Sequence, residues 1–235
     1  MNIADREIAT PASTITVDQM NRTFLGRDTF EFDVAHHGDK ELRAETFDVF
    51  GEVIDGDIYC LQHDTREGDV WVDAGCHVGL FSIAAMMAGA DVSVMIDENN
   101  DSAWCAEYNA RQFMRQQLIR GDHQRRRIMP TAVVERITGA EQLVQAGMLA
   151  REHWTGMERS CLKLDIQGGE VDVFGDGVRD LSTAFDFMVL EWHLPELIET
   201  MVHRLEHNGW KVGRYANATD ILLGTETHIV WAHSG

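Results

Sequence analysis

Five side chains with acid–base chemistry each end or follow an apolar run of the sequence: Asp73, Asp97, Asp165, Glu191 and His193. Carboxylates and an imidazole can accept a proton, bind hydroxyl groups or orient a cationic ligand. In an open sheet of parallel strands, ligands bind in the crevice beyond the carboxyl ends of the strands. If the apolar runs are such strands, these five side chains lie near one edge of the sheet and form a candidate site.

The segment from Asp73 to Gly79, DAGCHVG, has two glycines just before an apolar helical pattern. Gly75 is expected to turn the chain sharply and bring backbone N–H groups close to a ligand, while Gly79 lets the helix pack tightly on the strand. A dinucleotide site needs G-x-G-x-x-G, and the middle glycine is absent here. Asp73 would repel a pyrophosphate but suits the amino group of an amino acid. The segment therefore favours S-adenosylmethionine over NAD.

A second acidic position supports a nucleoside ligand. Asp97 ends the next apolar run, 22 residues after Gly75, and Glu98 follows it. An acid at the end of the second strand, about 20 residues after a glycine turn, accepts hydrogen bonds from ribose hydroxyls. We therefore predict that Asp97 holds the ribose, with Glu98 as a second candidate.

The elements that position these residues alternate along the chain from Gly68 onward. Apolar strands between helical patterns, one of them around residues 170–181, indicate a mostly parallel, doubly wound sheet with helices on both faces. The last two strands have no helix between them, which predicts an antiparallel hairpin at one edge. Seven strands with this ending describe the α/β, Rossmann-like fold of class I methyltransferases. The expected strands are DVWVDA, DVSVMID, RRIMPTAVVE, SCLKLDIQ, FDFMVLEWH, WKVGRYA and THIVWAH.

The part of the chain before this pattern has a different character. Residues 1–23 show no strong periodicity and are expected to form an arm or a loosely packed helix. Residues 29–62 alternate like antiparallel strands, including VIDGDIYCLQ, and either pack on the main domain or form a small cap that faces the substrate. We therefore divide the chain into an N-terminal arm with a β-rich lead-in, residues 1–65, and a methyltransferase domain, residues 66–235.

The charge of the chain bears on its partners. The formal net charge is −19, with 39 acidic residues against 3 Lys and 17 Arg. A surface of this sign repels phosphate backbones, so general nucleic-acid binding is disfavoured. One segment, residues 109–128, has six arginines against one acid. This segment is a solvated helix face and loop, or a contact surface for an anionic substrate such as an RNA or a sugar nucleotide.

Hydropathy and cysteine usage indicate the compartment. No window of about 18 residues is apolar throughout, and the N-terminus lacks the apolar segment of a signal peptide. We therefore expect a cytoplasmic protein with no membrane partner; the sequence leaves its oligomeric state open, a homo-oligomer included. The four cysteines show no metal-binding spacing, which predicts free and mostly buried thiols in a reducing compartment. They are Cys60, Cys76, Cys105 and Cys161.

Four segments together resemble the FkbM-type family of S-adenosylmethionine-dependent methyltransferases. They are GDVWVDAGCHVGLFS, VMIDENN with the later EYN, CLKLDIQGGEVDVFGDG and FMVLEWH, within about residues 65–215. In the first motif Cys76 and His77 replace the usual Ala-Asn, and His77 can still donate a hydrogen bond toward the methionine carboxylate. With the residues described above, the predicted cofactor-binding set is Asp73, Gly75, Cys76, His77, Gly79, Asp97 and Glu98.

The third segment differs from the family pattern at one position. Gln167 stands where the family usually has Glu, whereas Lys163, Asp165 and Glu170 are retained. The change removes a negative charge close to the predicted reaction centre, which bears on catalytic competence or on substrate choice. Glu170 begins the next helical pattern and is expected to be a structural partner of that helix N-terminus.

Three residues are the candidates for catalysis, at the carboxyl ends of the fourth and fifth strands: Asp165, Glu191 and His193. His193 is a candidate general base because the pKa of an imidazole lies near working pH. Asp165 is a comparable candidate, as the base or as an acid that orients the cofactor. The same three side chains could also bind a divalent cation that holds a sugar diol, an alternative that the sequence leaves open.

The predicted function is methyl transfer from S-adenosylmethionine to a hydroxyl of a sugar or another small metabolite. RNA methylation and N-methylation are alternatives, although the Asn/Asp-Pro-Pro-Tyr type motif of N-methylation is absent from the fourth strand. A protein that binds the cofactor but catalyses weakly, as a scaffold or regulator, is a further alternative suggested by Gln167. An NAD-dependent enzyme is disfavoured by Asp73 and by the incomplete glycine pattern.

Overall fold

The computed structural model describes residues 14–16, 31–33, 53, 58–119, 130–154, 156–175, 177–220 and 225–235. In the first part of the chain, β1 (Thr14–Thr16) and β2 (Glu31–Asp33) pair antiparallel. The strand expected near residue 31 is therefore present. Thr14–Thr16 is also a strand, although its segment was expected to be an arm or a helix. The division of the chain at residue 65 stays a prediction.

A large sheet and its helices follow. The helices are α1 (Leu61–Asp64), α2 (Leu80–Met87), α3 (Asn100–Ile119), α4 (Ala140–His153), α5 (Glu170–Val173), α6 (Val178–Ala184) and α7 (Ile198–His207), with a 3₁₀ turn at Pro195–Leu197. The strands are β3 (Asp69–Ala74), β4 (Asp91–Asp97), β5 (Thr131–Val134), β6 (Arg159–Leu164), β7 (Phe187–Trp192), β8 (Trp210–Asp220) and β9 (Thr225–Ser234).

The large sheet has seven strands in the order β5-β4-β3-β6-β7-β9-β8. Strands β3 to β7 are parallel, and β9 runs antiparallel to both of its neighbours. The chain leaves β3 toward β4 and β5, then returns to the other side of β3 to form β6. The strand order therefore reverses between β3 and β6, which is where ligands bind in such sheets. The predicted fold class, including the C-terminal hairpin, is confirmed.

The two faces of the sheet pack against different helices, because successive side chains of a strand point to opposite faces. Trp71 of β3 and Cys161 of β6 contribute to a core with α2 and α3. Their chain neighbours Val72 and Leu162 contribute to a second core with α4, α5, α6 and α7. Both cores are continuous across the central strands.

The same alternation places charged residues of the central strands on one face. Asp73 lies two residues after Trp71, and Lys163 lies two residues after Cys161. The two are direct neighbours in the β3–β6 register. The α2–α3 face therefore becomes polar at its carboxyl end, whereas the opposite face stays apolar there with Leu164 and Leu190.

Two expected elements differ in the structure. The single helix expected around residues 170–181 is two short helices, α5 and α6, with Gly175 and Gly177 in the connection between them. Glycine is a poor helix former, which accounts for the break. The strand expected from VIDGDIYCLQ is wrong for its described part, where residues 58–59 form a turn and α1 follows. Tyr59 and Leu61 are both buried, so their alternation reflects a turn packed on the core.

Two predictions from composition can be compared with the described residues. None of the described helices is long and apolar enough to cross a membrane. All four cysteines lie in the described part of the chain, and none of them forms a disulfide. Cys76, Cys105 and Cys161 are buried, as expected for structural thiols.

Candidate functional site

The turn after β3 is shaped by close contact with the loop after β6. Gly75 has a φ of +76°, and a Cβ at this position would collide with the carbonyl oxygen of Asp165. The expected sharp turn is therefore present, and glycine is required by both conformation and space. The N–H groups of Gly75 and Cys76, which we expected near a ligand, instead donate to Ile96 O at 2.8 and 3.0 Å. They join the turn to the end of β4.

Gly79 has a related structural role at the start of α2. Its φ is +86°, and a Cβ there would lie 3.0 Å from Ala106 Cα in α3. The close packing that this glycine allows is therefore between α2 and α3. The expected packing of α2 on the strand is not what requires it.

Asp97 at the end of β4 lies against the glycine turn. Its Oδ2 accepts a hydrogen bond from His77 N at 2.8 Å, and its Oδ1 accepts one from Asn99 N at 2.8 Å. Burial raises the pKa of Asp97, although these two N–H groups act in the opposite direction. Glu98, the second candidate, is exposed and lies 3.6 Å from the Nε of Arg136. The structure therefore brings Asp97, and not Glu98, to the turn.

Cys76 and His77, which follow Gly75, are mostly enclosed. Burial raises the pKa of the Cys76 thiol well above its ordinary value, so this residue remains a neutral thiol. Burial, with a contribution from the charge of Lys163, lowers the pKa of His77 to about 4. His77 is therefore a neutral imidazole at pH 7. Its contact with a methionine carboxylate stays a prediction.

Asp73 is fully buried beneath this turn. Its Oδ2 accepts a hydrogen bond from Ser82 Oγ at 2.6 Å, and its Oδ1 lies 3.4 Å from Lys163 Nζ. Burial raises the pKa of Asp73, and the charge of Lys163 opposes the increase. Lys163 also donates to Gly75 O at 2.6 Å. Asp73 thus stabilises the turn through Lys163, and its predicted contact with a ligand amino group stays a prediction.

Lys163 connects this turn to the acidic cluster beyond β6. Its Nζ lies 3.4 Å from Asp165 Oδ2 as well as from Asp73 Oδ1. Burial alone would lower the pKa of Lys163, but the charges of Asp165 and Asp73 raise it above its ordinary value. Lys163 is therefore a permanent buried cation between the two predicted halves of the site.

The predicted catalytic residues meet on the far side of Lys163. His193 Nε2 lies 3.7 Å from Asp165 Oδ1 and 3.8 Å from Glu191 Oε1. The side chain of Asp165 is 25% exposed, whereas those of Glu191 and His193 are 6% and 5% exposed. Asp165 is consequently the most accessible of the three to a ligand in the crevice.

Glu191 is enclosed by two hydroxyl groups. Tyr59 Oη lies 3.0 Å from Glu191 Oε2, and Thr227 Oγ1 donates to Glu191 Oε1 at 3.1 Å. The same Tyr59 hydroxyl lies 3.3 Å from Asp165 Oδ2. The sequence does not indicate Tyr59 or Thr227 as site residues, because neither stands in a recognisable motif. The burial of Tyr59 in the first turn before the sheet had no signal beyond an alternation that also fits a strand.

His193 is held by Glu170, a fully buried carboxylate on α5. The ring Nδ1 lies 3.0 Å from Glu170 Oε1. Burial alone would lower the pKa of His193, but the hydrogen bond and charge of Glu170, with Asp165 and Glu191, raise it to about 9. His193 is therefore an imidazolium at pH 7, which differs from the expectation of a pKa near working pH.

Glu170 also organises the loop between β6 and α5. Its Oε1 accepts a hydrogen bond from Ile166 N at 3.0 Å, and its Oε2 accepts one from Gly168 N at 2.9 Å. Its expected structural role is thus present, with the loop before the helix as the partner. Gln167 is exposed in this loop with a φ of +50°. The missing family Glu therefore corresponds to a solvent-facing position.

The cation hypothesis can be compared with this geometry. Asp165, Glu170 and His193 each offer one ligand atom within 4.8 Å of the others. This group contains Glu170 where the sequence suggested Glu191, which binds Tyr59 and Thr227 instead. Both oxygens of Glu170 already accept backbone hydrogen bonds. A cation at Glu170 would therefore compete with bonds that fix the loop.

Comparison with known proteins supports the fold. No protein-family model matches the chain, and no curated protein matches it. Magnesium protoporphyrin IX methyltransferase from Synechocystis PCC 6803, solved with S-adenosylmethionine bound, is similar with 17% identity and a TM-score of 0.52, over 93% of this chain and 90% of that chain. The chain described here therefore has the class I methyltransferase fold. Precorrin-6y C5,15-methyltransferase from Geobacter metallireducens GS-15 has 14% identity and a TM-score of 0.46, over 75% and 86% of the two chains. The resemblance to the FkbM-type family stays a prediction.

Proposed function

We propose that this protein is an S-adenosylmethionine-dependent methyltransferase that methylates a hydroxyl of a sugar or another small metabolite. The observation that carries the proposal is the contact between Asp97 and the glycine turn, His77 N to Asp97 Oδ2 at 2.8 Å. This contact lies beside the point where the strand order reverses. An acid on one side and a glycine turn on the other are what a nucleoside ligand requires there.

The residues of this turn fit the cofactor. A carboxylate offers about four lone-pair sites, and the two backbone N–H groups occupy only part of that capacity at Asp97. Asp97 can therefore still accept hydrogen bonds from ribose hydroxyls. His77, neutral at pH 7 because of its lowered pKa, avoids placing a second cation beside the positively charged sulfonium. The cofactor, when bound, supplies an electrophilic methyl group.

Asp165 is the residue that we propose as the general base. It is the most exposed member of its cluster, and a carboxylate can take the proton that a hydroxyl loses. His193 is charged at pH 7 because its pKa is raised to about 9, so it cannot accept that proton. Lys163 and His193 instead flank Asp165 as cations and hold it in place.

The polarity of the same region supports a hydroxylated acceptor. Carboxylates bind neighbouring hydroxyl groups well, which fits a sugar or another polyhydroxylated compound. The net charge of −19 disfavours a polynucleotide. Within the arginine-rich segment, Arg111 is exposed and paired with Glu107 of the same helix, and residues 120–129 lie outside the described residues.

Calorimetric titration with S-adenosylmethionine and S-adenosylhomocysteine tests the cofactor site. The wild-type protein should bind both, and Asp97→Asn should weaken binding at least about tenfold, since hydrogen bonds to a charged group contribute about 1.5–3 kcal/mol each. Glu98→Gln is the matched control and should bind like the wild type, because Glu98 faces solvent. NAD should give no heat.

Absence of wild-type binding to both compounds would remove the proposed function. Equal loss in Asp97→Asn and Glu98→Gln would show that the acid at 97 is not the ribose ligand. If binding is present, transfer of a labelled methyl group to a panel of sugars and other hydroxylated metabolites, with tRNA and amines included, would identify the acceptor class.

A further inference from the structure

Tyr59 enters the site from outside the strands and loops that form the rest of it. It lies in the turn before α1, and its side chain is buried. Its ring packs edge-to-face on Phe81 of α2, with centroids 5.4 Å apart. Its carbonyl oxygen accepts a hydrogen bond from Trp231 Nε1 at 3.0 Å. The position of its hydroxyl is therefore fixed by contacts at both ends of the residue.

The hydroxyl of Tyr59 lies between two carboxylates but has one proton to donate. Glu191 Oε2 is 3.0 Å away and Asp165 Oδ2 is 3.3 Å away. Glu191 is almost fully buried, and a buried carboxylate needs its donors more than a partly exposed one. The proton of Tyr59 therefore belongs to Glu191, at the shorter distance. Asp165 Oδ2 then faces a lone pair of the Tyr59 oxygen.

We propose that Tyr59 is a positioning residue that accepts a hydrogen bond from Asp165 once Asp165 has taken a proton. This inference rests on the proposed function, in which Asp165 is the base. With S-adenosylmethionine bound, the acceptor oxygen would take the methyl group as the C–S bond broke and sulfur kept the electron pair as a neutral thioether. Asp165 would take the proton that the acceptor hydroxyl loses. The protonated carboxyl donates to Tyr59 Oη, which continues to donate to Glu191. The chain of hydrogen bonds thereby holds the transferred proton on Asp165.

Other charges also act on Asp165, and they remain in place when Tyr59 is changed. Lys163 and His193 lie within 4 Å of Asp165 as cations. The surrounding titratable and charged groups are Lys163 on β6, Glu191 on β7, His193 after β7, Glu170 on α5, Asp73 on β3 and His77 after β3. A substitution that removes only the Tyr59 hydroxyl isolates its contribution from theirs.

The test is a pH titration of the carboxyl groups in the full chain. It is monitored by NMR on protein with ¹³C-labelled aspartate and glutamate side chains. Asp165→Asn assigns the Asp165 signal. Tyr59→Phe keeps the buried ring and should move the midpoint of the Asp165 titration to lower pH by about 0.5–1 unit, the size of one net hydrogen bond. Tyr108→Phe removes a hydroxyl that is bonded to Gln112 on α3. It should leave the midpoint unchanged.

A second variant keeps the inference testable if Tyr59→Phe perturbs the fold. Thr227→Val removes a second donor to Glu191, which commits the Tyr59 proton to Glu191 more firmly. The Asp165 midpoint should then stay within about 0.3 units of the wild type or rise. A fall as large as that expected for Tyr59→Phe would overturn the proposal.

An unchanged or higher Asp165 midpoint in Tyr59→Phe would also overturn the proposal. An unchanged midpoint would mean that Tyr59 does not hydrogen-bond to Asp165, and a higher one would mean that Tyr59 donates to the ionised carboxylate. The titration needs neither cofactor nor acceptor. Failure of S-adenosylmethionine binding would therefore remove the proposed function while leaving the Asp165–Tyr59 contact measurable. A negative titration with normal binding would remove only the role of Tyr59.

Discussion

At the scale of single residues, the site is a set of buried charges that offset one another. Lys163 lies 3.4 Å from a carboxylate oxygen on either side, and His193 lies between Glu170 and Asp165. A buried charge without a partner is costly, and removal of one partner leaves the other uncompensated. The effect of any substitution here therefore includes the charge that it leaves behind.

Two histidines of the site, His193 and His77, predict a maximum of stability near pH 6.5. The pKa of His193 is raised to about 9, so the native state binds more protons than the unfolded state between pH 6.5 and 9, and stability falls as pH rises through that range. The pKa of His77 is lowered to about 4, so stability falls as pH drops from 6.5 toward 4. On each side of this maximum, which we call a limb of the pH profile, the free energy of unfolding falls by at most about 3 kcal/mol.

Urea denaturation at a series of pH values measures both limbs. His193→Gln should flatten the decline above pH 6.5, and His77→Asn, which tolerates the positive φ at this position, should reduce the decline below it. His203→Gln is the control, because His203 is exposed on α7. An alkaline decline that persists unchanged in His193→Gln would show that His193 is not an imidazolium in the native protein.

At the scale of elements, the loop from β6 to α5 depends on one carboxylate. Glu170 reaches back from α5 to the N–H groups of Ile166 and Gly168. It also holds His193, which follows β7. A four-residue helix has little stability of its own, so its position is set by these bonds and by its packing against the sheet. The orientation of Asp165, one residue before Ile166, follows from the same bonds.

Glu170→Gln should destabilise this loop and alter His193 together. The amide of glutamine places a donor against a backbone donor, and one charge-assisted hydrogen bond is lost. We expect a loss of about 2–3 kcal/mol in the free energy of unfolding and a His193 titration that moves toward lower pH, measured by urea denaturation and by NMR of the imidazole.

Asp172→Asn on the same helix provides the control, since Asp172 is exposed and should change neither quantity. A His193 titration that does not move in Glu170→Gln would contradict the assignment of Glu170 as its partner. A loss of stability without that movement would indicate a packing effect alone.

At the scale of the whole molecule, two hydrophobic cores pack on opposite faces of the same sheet. Met95 on β4 belongs to the core with α2 and α3, and Leu162 on β6 belongs to the core with α4 to α7. Both side chains are fully buried. Because β4 and β6 flank β3 in one sheet whose two faces carry the two cores, neither core can come apart without exposing the other.

Met95→Ala and Leu162→Ala should each lower the free energy of unfolding by about 2–5 kcal/mol. Each should also leave a single transition with coincident far-ultraviolet circular dichroism and tryptophan fluorescence. Leu197→Ala, at a position that is 40% exposed, should change the free energy by less than about 0.5 kcal/mol. Separate transitions for the two probes in either core variant would show that the two faces unfold independently.

The sequence by itself determined the architecture. Continuous apolar strands between helical patterns predict a parallel sheet because both faces must be covered, and the missing helix before THIVWAH predicts the antiparallel edge. Gly75 was identifiable because only glycine suits a sharp turn with such close contact. Asp97, Asp165, Glu191 and His193 were identifiable as candidates because each stands at the end of a strand-like run.

Only the tertiary structure decided the charge states and partners of these residues. The charge state of His193 depends on Glu170, which reaches it from another element, and no local pattern encodes that distance. Tyr59 reaches Glu191 across 132 positions of sequence, and its alternation with Leu61 is the same for a strand as for a turn packed on the core. The hydrophobic periodicity of a sequence indicates which residues are buried. The pKa of a group is instead set by its burial and by the charges that packing places around it.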